Sequence, residues 1–238
     1  MTDPSEAQPA PDWASETEAQ LLDAALKRAP MHGWTWRTAT LAGEDLGLSR
    51  AETELLVPHG PADLAALLSR RHDARALAAL PEPEGMKIRE RIRRACEARL
   101  DAAFLDEPGL RRWLGYLALP GNLGLAGRLA WESAEALWRW AGDTATDENH
   151  YSKRALLGGI LSGAMAIRMA SGRHAALDFV DRRIADVMRF ETWKATSRLR
   201  PGDWLAAAAR GAARFRYGRA TTEGEAAPEP ADGSDTRV

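Results

Sequence analysis

Residues 46–56 read Leu46-Gly47-Leu48-Ser49-Arg50-Ala51-Glu52-Thr53-Glu54-Leu55-Leu56. Gly47-Leu48-Ser49 is a tight turn between two helical patterns. Ser49 followed three residues later by Glu52 is a capping box, in which each side chain satisfies a backbone N–H at a helix start. The helix it opens stops at Pro58-His59-Gly60. Upstream, a helix is predicted from about Thr35 to Leu46. Another opens at a Ser15/Glu18 capping box, carries Leu21, Leu22, Ala25 and Leu26, and ends at Pro30 and Gly33. Helix, helix, glycine turn, helix is a helix-turn-helix layout.

Downstream the pattern stays helical, and no stretch alternates in the manner of a strand. Pro61 suits a first turn leading to Leu64, Leu67, Leu68 and Leu77; Pro81 and Pro83 break the chain. Met86 to Phe104 is amphipathic, with Arg89, Arg91, Arg93 and Arg94 on its polar side. Pro108 to Leu119 is short and apolar, ended by Pro120-Gly121-Asn122. Ala130, Trp131, Ala134, Leu137, Trp138 and Ala141 follow at helical spacing. After the loop 142–146 comes the apolar run 155–167. Ser171-Gly172 closes that helix, and Leu177, Val180, Ile184 and Val187 define the next.

This predicts an all-α chain of about nine helices. A helical bundle with an N-terminal helix-turn-helix is the architecture of TetR-type repressors, an analogy of fold that assigns no function. The expected organisation is a disordered N-terminus (1–14), a helix-turn-helix-like module (15–60), a larger helical domain (61–200), an amphipathic helix (203–219) and a disordered tail (220–238).

The chain has 238 residues, 45% of them hydrophobic and 28% charged, so a normal core can form. A net charge of −2 argues against a global pull toward nucleic acid. Cys96 is alone, which rules out an internal disulfide. It falls in step with Ile88, Ile92 and Leu100, as a buried, inert thiol would. Met1 to Glu18 is acidic and rich in Pro and Ala, with no basic or apolar leader pattern, and predicts a cytoplasmic location. Ala155 to Ile167 falls short of the roughly 20 residues of a spanning helix. Its Gly159/Gly163 spacing is read as close packing against neighbouring helices.

A recognition helix should offer donors and cations to the groove and phosphates. The third helix has only Arg50, beside Glu52 and Glu54, so no nucleic-acid partner is expected. The five histidines are scattered singly. Asp147 and His150 have the carboxylate-x-x-His spacing of di-iron helices, but no second copy exists, so no metal site is expected. There is no phosphate loop, nucleophile elbow or CxxC pair, and no catalytic residue is assigned.

Nine tryptophans are many for this length. Most serve packing, but a bundle lined by Trp, Leu and Met around small residues can enclose an elongated apolar cavity. The Gly158-Gly159-Gly163 face beside Trp131 and Trp138 is where it is expected. In the segment 203–219, Trp204, Leu205, Ala208, Ala212 and Phe215 share one helical face, opposite Arg210 and Arg214. Aromatics on one side and arginines on the other is the pattern of a helix lying in the headgroups of an anionic leaflet.

The run from Trp140 to Arg154, Trp-Ala-Gly-Asp-Thr-Ala-Thr-Asp-Glu-Asn-His-Tyr-Ser-Lys-Arg, resembles the signature of the lipid-binding accessory proteins of ubiquinone (coenzyme Q) biosynthesis. Residues 33–37 (Gly-Trp-Thr-Trp-Arg), 117–120 (Leu-Ala-Leu-Pro) and 179–188 (Phe-Val-Asp-Arg-Arg-Ile-Ala-Asp-Val-Met) extend the resemblance over about residues 20 to 195. It implies a TetR-like fold without DNA binding, an isoprenoid or quinone lipid in an apolar cavity, and attachment to the membrane by a C-terminal amphipathic helix. It also implies a partner di-iron hydroxylase and a homodimer. The chain departs from the family at Ala145, Glu148 and His150, where the family usually has Ser, Phe and an aromatic. Two of these make the partner-facing surface more polar.

The combined expectation is a non-catalytic carrier without cofactor, attached peripherally to the inner face of the membrane. Trp131, Trp138, Leu156, Ile160 and Ile167 are assigned to lipid. Asp143, Tyr151, Lys153 and Arg154 are assigned to the partner, and Trp204, Leu205, Arg210, Arg214 and Phe215 to the membrane. The alternative reading is a TetR-type transcriptional regulator with a small apolar ligand.

Overall fold

The structure is a computed structural model that describes residues 13–143 and 148–196. Its elements are α1 (Trp13–His32), α2 (Trp36–Asp45), α3 (Arg50–Leu56), α4 (Pro61–Ala79), α5 (Ile88–Phe104), α6 (Gly109–Leu117), a 3-10 turn at Pro120–Asn122, α7 (Leu123–Trp140) and α8 (Glu148–Thr196). The described residues form helices and no strand, so the chain is all-α. It divides into two units, Met1–Ala185 and Asp186–Val238. Of the second, the described part is helical, with Arg189 paired to Asp186. The rest of the description concerns the first.

The local signals act where the sequence places them, with one exception. Thr35 and Ser49 cap α2 and α3, and Ser49 and Glu52 form the reciprocal capping box. Pro61 opens α4. The exception is Ser15, which lies inside α1 and caps nothing. Thr17 Oγ1 already donates to Trp13 O one turn back, so the helix is running before Ser15 is reached. Pro30 is tolerated within the last turn of α1, and the chain ends that helix at Gly33, whose N–H reaches Ala29 O at 2.9 Å. Gly60 has φ +52°, and a Cβ there would stand 2.6 Å from the Trp36 ring. Both facts require glycine where α3 turns into α4.

α1 packs on α2, α4 and α6, and α4 packs on α5 and α7. The core is made of leucine and alanine: Leu21, Ala25, Leu64, Leu68, Leu100, Ala103, Leu110, Leu137 and Leu157 are among its fully or almost fully buried members. Alanine at the crossings brings helix axes close, and leucine fills the space between them. Buried indoles keep their N–H groups satisfied: Trp34 donates to Pro61 O at 2.8 Å and Trp113 to Ala65 O at 3.1 Å.

α8 is helical on both sides of Gly172, whose φ of 85° and ψ of 178° break it as the Ser171-Gly172 signal predicts. Arg168 and Arg173 stand on the two sides of this break and both donate to Asp101 of α5. The small residues of α8 are used differently from expectation. A Cβ on Gly158 would lie 3.2 Å from Ala130 O, and one on Gly163 would lie 3.0 Å from the Phe179 ring. A Cβ on Gly159 would meet nothing within 4 Å among the described residues. The close-packed pair is therefore Gly158 and Gly163.

By length and composition alone, His150–Val187 is apolar enough to cross a membrane, which the run 155–167 by itself did not indicate. Its inward stripe of Leu157, Ile160, Leu161, Ala164 and Met165 is core, and Gly172 interrupts its helical backbone. Arg154 and Arg168 are ion-paired within the bundle. These are features of a helix packed in protein.

Candidate functional site: an apolar cavity and the cluster beside it

An apolar cavity of about 270 Å³ is enclosed by α4 to α8. Trp113 and Leu117 of α6, Leu129 of α7, and Leu161 and Met165 of α8 form much of its wall. Ala118 and Leu123, both exposed, stand at its mouth. At its inner end are Ser69 of α4, Arg99 of α5 and Ser133 of α7, all buried.

Arg99 is held to Asp73 of α4 by Nε donating to Oδ1 at 2.5 Å. Its Nη2 reaches Ser69 Oγ at 3.3 Å and Ser133 Oγ at 3.5 Å, and Ser133 donates to Asp73 Oδ2 at 3.0 Å. A buried ion pair keeps its place only when its remaining hydrogen-bonding groups are also used. Nearby, His72 and Arg75 meet Asp106 at 2.9 and 2.7 Å, and the His72 ring stands edge-on to Trp113. Burial lowers the His72 pKa to about 4, against the opposing pull of Asp106.

A second cluster lies where α7 gives way to α8. Arg154 is buried, pairs with Glu135 and Asp143, and donates to His150 O at 3.0 Å. Lys153 Nζ donates to Asp143 Oδ1 at 2.7 Å and lies 5.4 Å from the centroid of the Trp138 ring. Burial pushes the Asp143 carboxyl upward, but donors from Lys153 and Arg154 outweigh it and hold the carboxyl below its usual range. Glu135 is lowered chiefly by its hydrogen bond from Arg154. Tyr151 is exposed, its ring centroid 6.0 Å from that of Trp131.

The structure brings the four residues assigned to a partner into one neighbourhood, with a division of labour. Tyr151 is exposed and Lys153 partly so, whereas Arg154 is closed off and committed to two carboxylates. Arg154 therefore lies beneath that surface, drawn inward by its paired carboxylates.

The residues assigned to lipid are displaced from the cavity in a regular way. Trp138 is half-buried against the core, Trp131 is half-buried beside Tyr151, Ile160 is buried, Ile167 is partly buried and Leu156 is 49% exposed. The wall is made instead by neighbours on the same two helices: Leu129, Ala130 and Ser133 on α7, and Leu161, Ser162 and Met165 on α8. Helical spacing shows which residues share a face, not which face a neighbouring helix closes. Asp73, Arg99 and Trp113 were missed. Arg99 had a signal, since it stands three residues beyond Cys96 in an otherwise apolar stripe.

Cys96 is fully buried, as its spacing predicts, and burial pushes its thiol up to about 12. In α3, Arg50 donates to Glu54 at 2.7 Å, so its charge is already partnered. Among the described residues no group of three or more His, Cys, Asp or Glu is placed to hold a metal ion. Asp147, Trp204, Leu205, Arg210, Arg214 and Phe215 lie outside the described residues, as do the segments expected at 203–219 and 220–238.

The COQ9 family model matches residues 123–191, which include the α7 and α8 walls of the cavity and the Asp143–Arg154 cluster. The protein named ubiquinone biosynthesis protein COQ9, mitochondrial, of Rattus norvegicus is 31% identical over 193 residues, 74% of this chain and 61% of its own length. That of Homo sapiens is 30% identical over 193 residues, 74% of this chain and 60% of its own. The chain is thus similar to the COQ9 family over most of its length. A more distant member, ubiquinone biosynthesis protein COQ9-B, mitochondrial, of Xenopus laevis, is 27% identical over 196 residues. The chain spans about three-fifths of the length of the rat and human relatives it matches. The cluster and the α7 and α8 part of the cavity wall thus lie on the matched segment, whereas Ser69, Arg99 and the α6 part of the wall lie outside it.

Proposed function

We propose that this chain is a non-catalytic accessory protein of ubiquinone biosynthesis that holds an isoprenoid or quinone-type lipid and presents it to a membrane-associated hydroxylase. The observation that carries this reading is the 270 Å³ apolar cavity, walled in part by the family-matching helices α7 and α8 and open beside Leu123. The relatives' names supply the pathway. The surface of Tyr151 and Lys153, set by the buried Arg154 cluster, is the proposed docking face. Residues 203–219 attach the protein to the membrane through Trp204, Leu205 and Phe215, with Arg210 and Arg214 toward anionic headgroups. The working form is a homodimer bound peripherally to the inner face of the membrane.

Native mass spectrometry of the purified chain, followed by lipid extraction, tests this reading. Co-purified quinone, isoprenoid or phospholipid supports it and narrows the cargo. Protein that is empty, fails to load added quinone and ignores anionic vesicles would remove the carrier role.

A further inference from the structure

Arg99 has one hydrogen-bonding atom that the protein leaves unused. Its side chain is almost fully buried and lines the inner end of the cavity. Nε is engaged by Asp73, and Nη2 by Ser69 and Ser133. Nη1 is buried and finds no acceptor among the described residues. Buried charged donors are rarely left so, because the lost hydration is costly. An apolar cavity with a few polar groups gathered at one end is the usual form of a site that orients its ligand.

The charge state of the cluster limits what that ligand can present. Asp73 already balances Arg99. A carboxylate or phosphate brought against Nη1 would leave a buried group of net negative charge, at a large desolvation cost. An uncharged oxygen adds a charge-assisted hydrogen bond without that cost. Size limits it further. A cavity of roughly 150 Å³ accommodates benzene, so the 270 Å³ here suits one substituted ring, with any long tail leaving by the mouth.

We propose that Arg99 is the specificity-determining residue of the cavity, its Nη1–H donating to an uncharged carbonyl or ether oxygen on a ring that enters first. The proposal rests on the carrier reading for what enters the cavity, and adds which end goes in and what recognises it. Ser69 and Ser133 act as positioning residues that hold the guanidinium plane.

The test compares duroquinone with durene, which share a ring and its methyl groups and differ in the two carbonyls. Binding of each to the 238-residue chain is measured by calorimetry, beside an Arg99→Lys variant that keeps the charge opposite Asp73 and removes the planar fork. The preference for duroquinone over durene should fall by about tenfold or more in the variant, while durene binds both forms alike. Infrared spectra of duroquinone on the unaltered chain should show a carbonyl stretch lowered from its value in hydrocarbon solvent. This second reading stands even if the variant does not fold. An unshifted stretch, or a preference that survives Arg99→Lys in a folded variant, overturns the role of Arg99 and leaves the carrier reading intact. If neither compound binds the unaltered chain, the cavity is not a ligand site and both readings fall.

Discussion

Arg154 Nη1 donates to Asp143 Oδ2 at 3.1 Å, with only 2% and 7% of the two side chains exposed. The residues lie 11 apart in sequence, on either side of the passage from α7 to α8. Glu135 takes the Nε edge of the same guanidinium, and Lys153 takes the other oxygen of Asp143. The end of one cavity wall is thereby tied to the beginning of the next. The cluster fixes where α8 starts, and so which of its residues face the cavity and which face outward.

Replacing Arg154 by Met should cost about 3–5 kcal/mol, the usual penalty for removing one partner of a buried pair and leaving the other charged. Urea unfolding of the two proteins measures it. The carboxyls of Asp143 and Glu135 are both held below their ordinary range in the fold. Their contribution is present above the unfolded-state value near pH 4 and is lost as pH falls through the depressed one. A wild-type midpoint in the Met variant would show that the cluster does not secure the turn.

His72 produces a different acid response, in a higher pH window. It is neutral in the fold because burial lowers its pKa to about 4 against the hydrogen bond to Asp106. The unfolded chain takes up this proton near pH 6.5. Between those values the unfolded state binds more protons, so stability falls as pH falls. The loss should reach about 2 kcal/mol by pH 5, before the carboxylates respond. His72→Leu should flatten the slope between pH 7 and pH 5 while lowering stability at both, since Asp106 loses the hydrogen bond to His72 and keeps that from Arg75. An unchanged slope in the variant would mean that His72 is not the titrating group.

The helices were legible because their boundaries rest on local chemistry. Thr35, Ser49, Pro61, Gly60 and Gly172 each do their work within a few residues of themselves. Ser15 misled because a capping pair is only a permission, and α1 already runs from Trp13. The cavity was legible as a property of α7 and α8 but not residue by residue. Trp131 and Leu129 are two positions apart on one helix, and only the placement of α4 and α6 decides that Leu129 faces inward. Arg99 escaped for a related reason: Asp73, the residue that makes its burial tolerable, is 26 residues away on another helix.

Cys96 should be unreactive in the folded chain. Its thiol is fully buried and pushed up to about 12 by desolvation, with Asp181 adding to the effect, so both access and thiolate are lacking. Ellman's reagent at pH 8 should detect no thiol without denaturant and one equivalent with it. Rapid labelling of the native protein would mean that the α5 core opens on that timescale.

Gly158 and Gly159 are adjacent on α8, yet they should respond to substitution in opposite directions. A side chain on Gly158 begins 3.2 Å from the Ala130 carbonyl oxygen, which is backbone of α7 and cannot turn aside. Leucine there must push the two helices apart, at about 1–3 kcal/mol for the overpacking, and the cavity wall formed by Leu129 and Leu161 moves with them. A Cβ at Gly159 would meet nothing within 4 Å among the described residues, and the residue is exposed in a helix. Alanine there restricts the unfolded chain and improves helix propensity, which should stabilise by roughly 0.5–1 kcal/mol. Thermal unfolding of Gly158→Leu and Gly159→Ala separates the two effects. Loss in the first with gain in the second identifies Gly158 as the α7–α8 contact. Equal losses would place Gly159 against a surface as well, as packing in a homodimer would do.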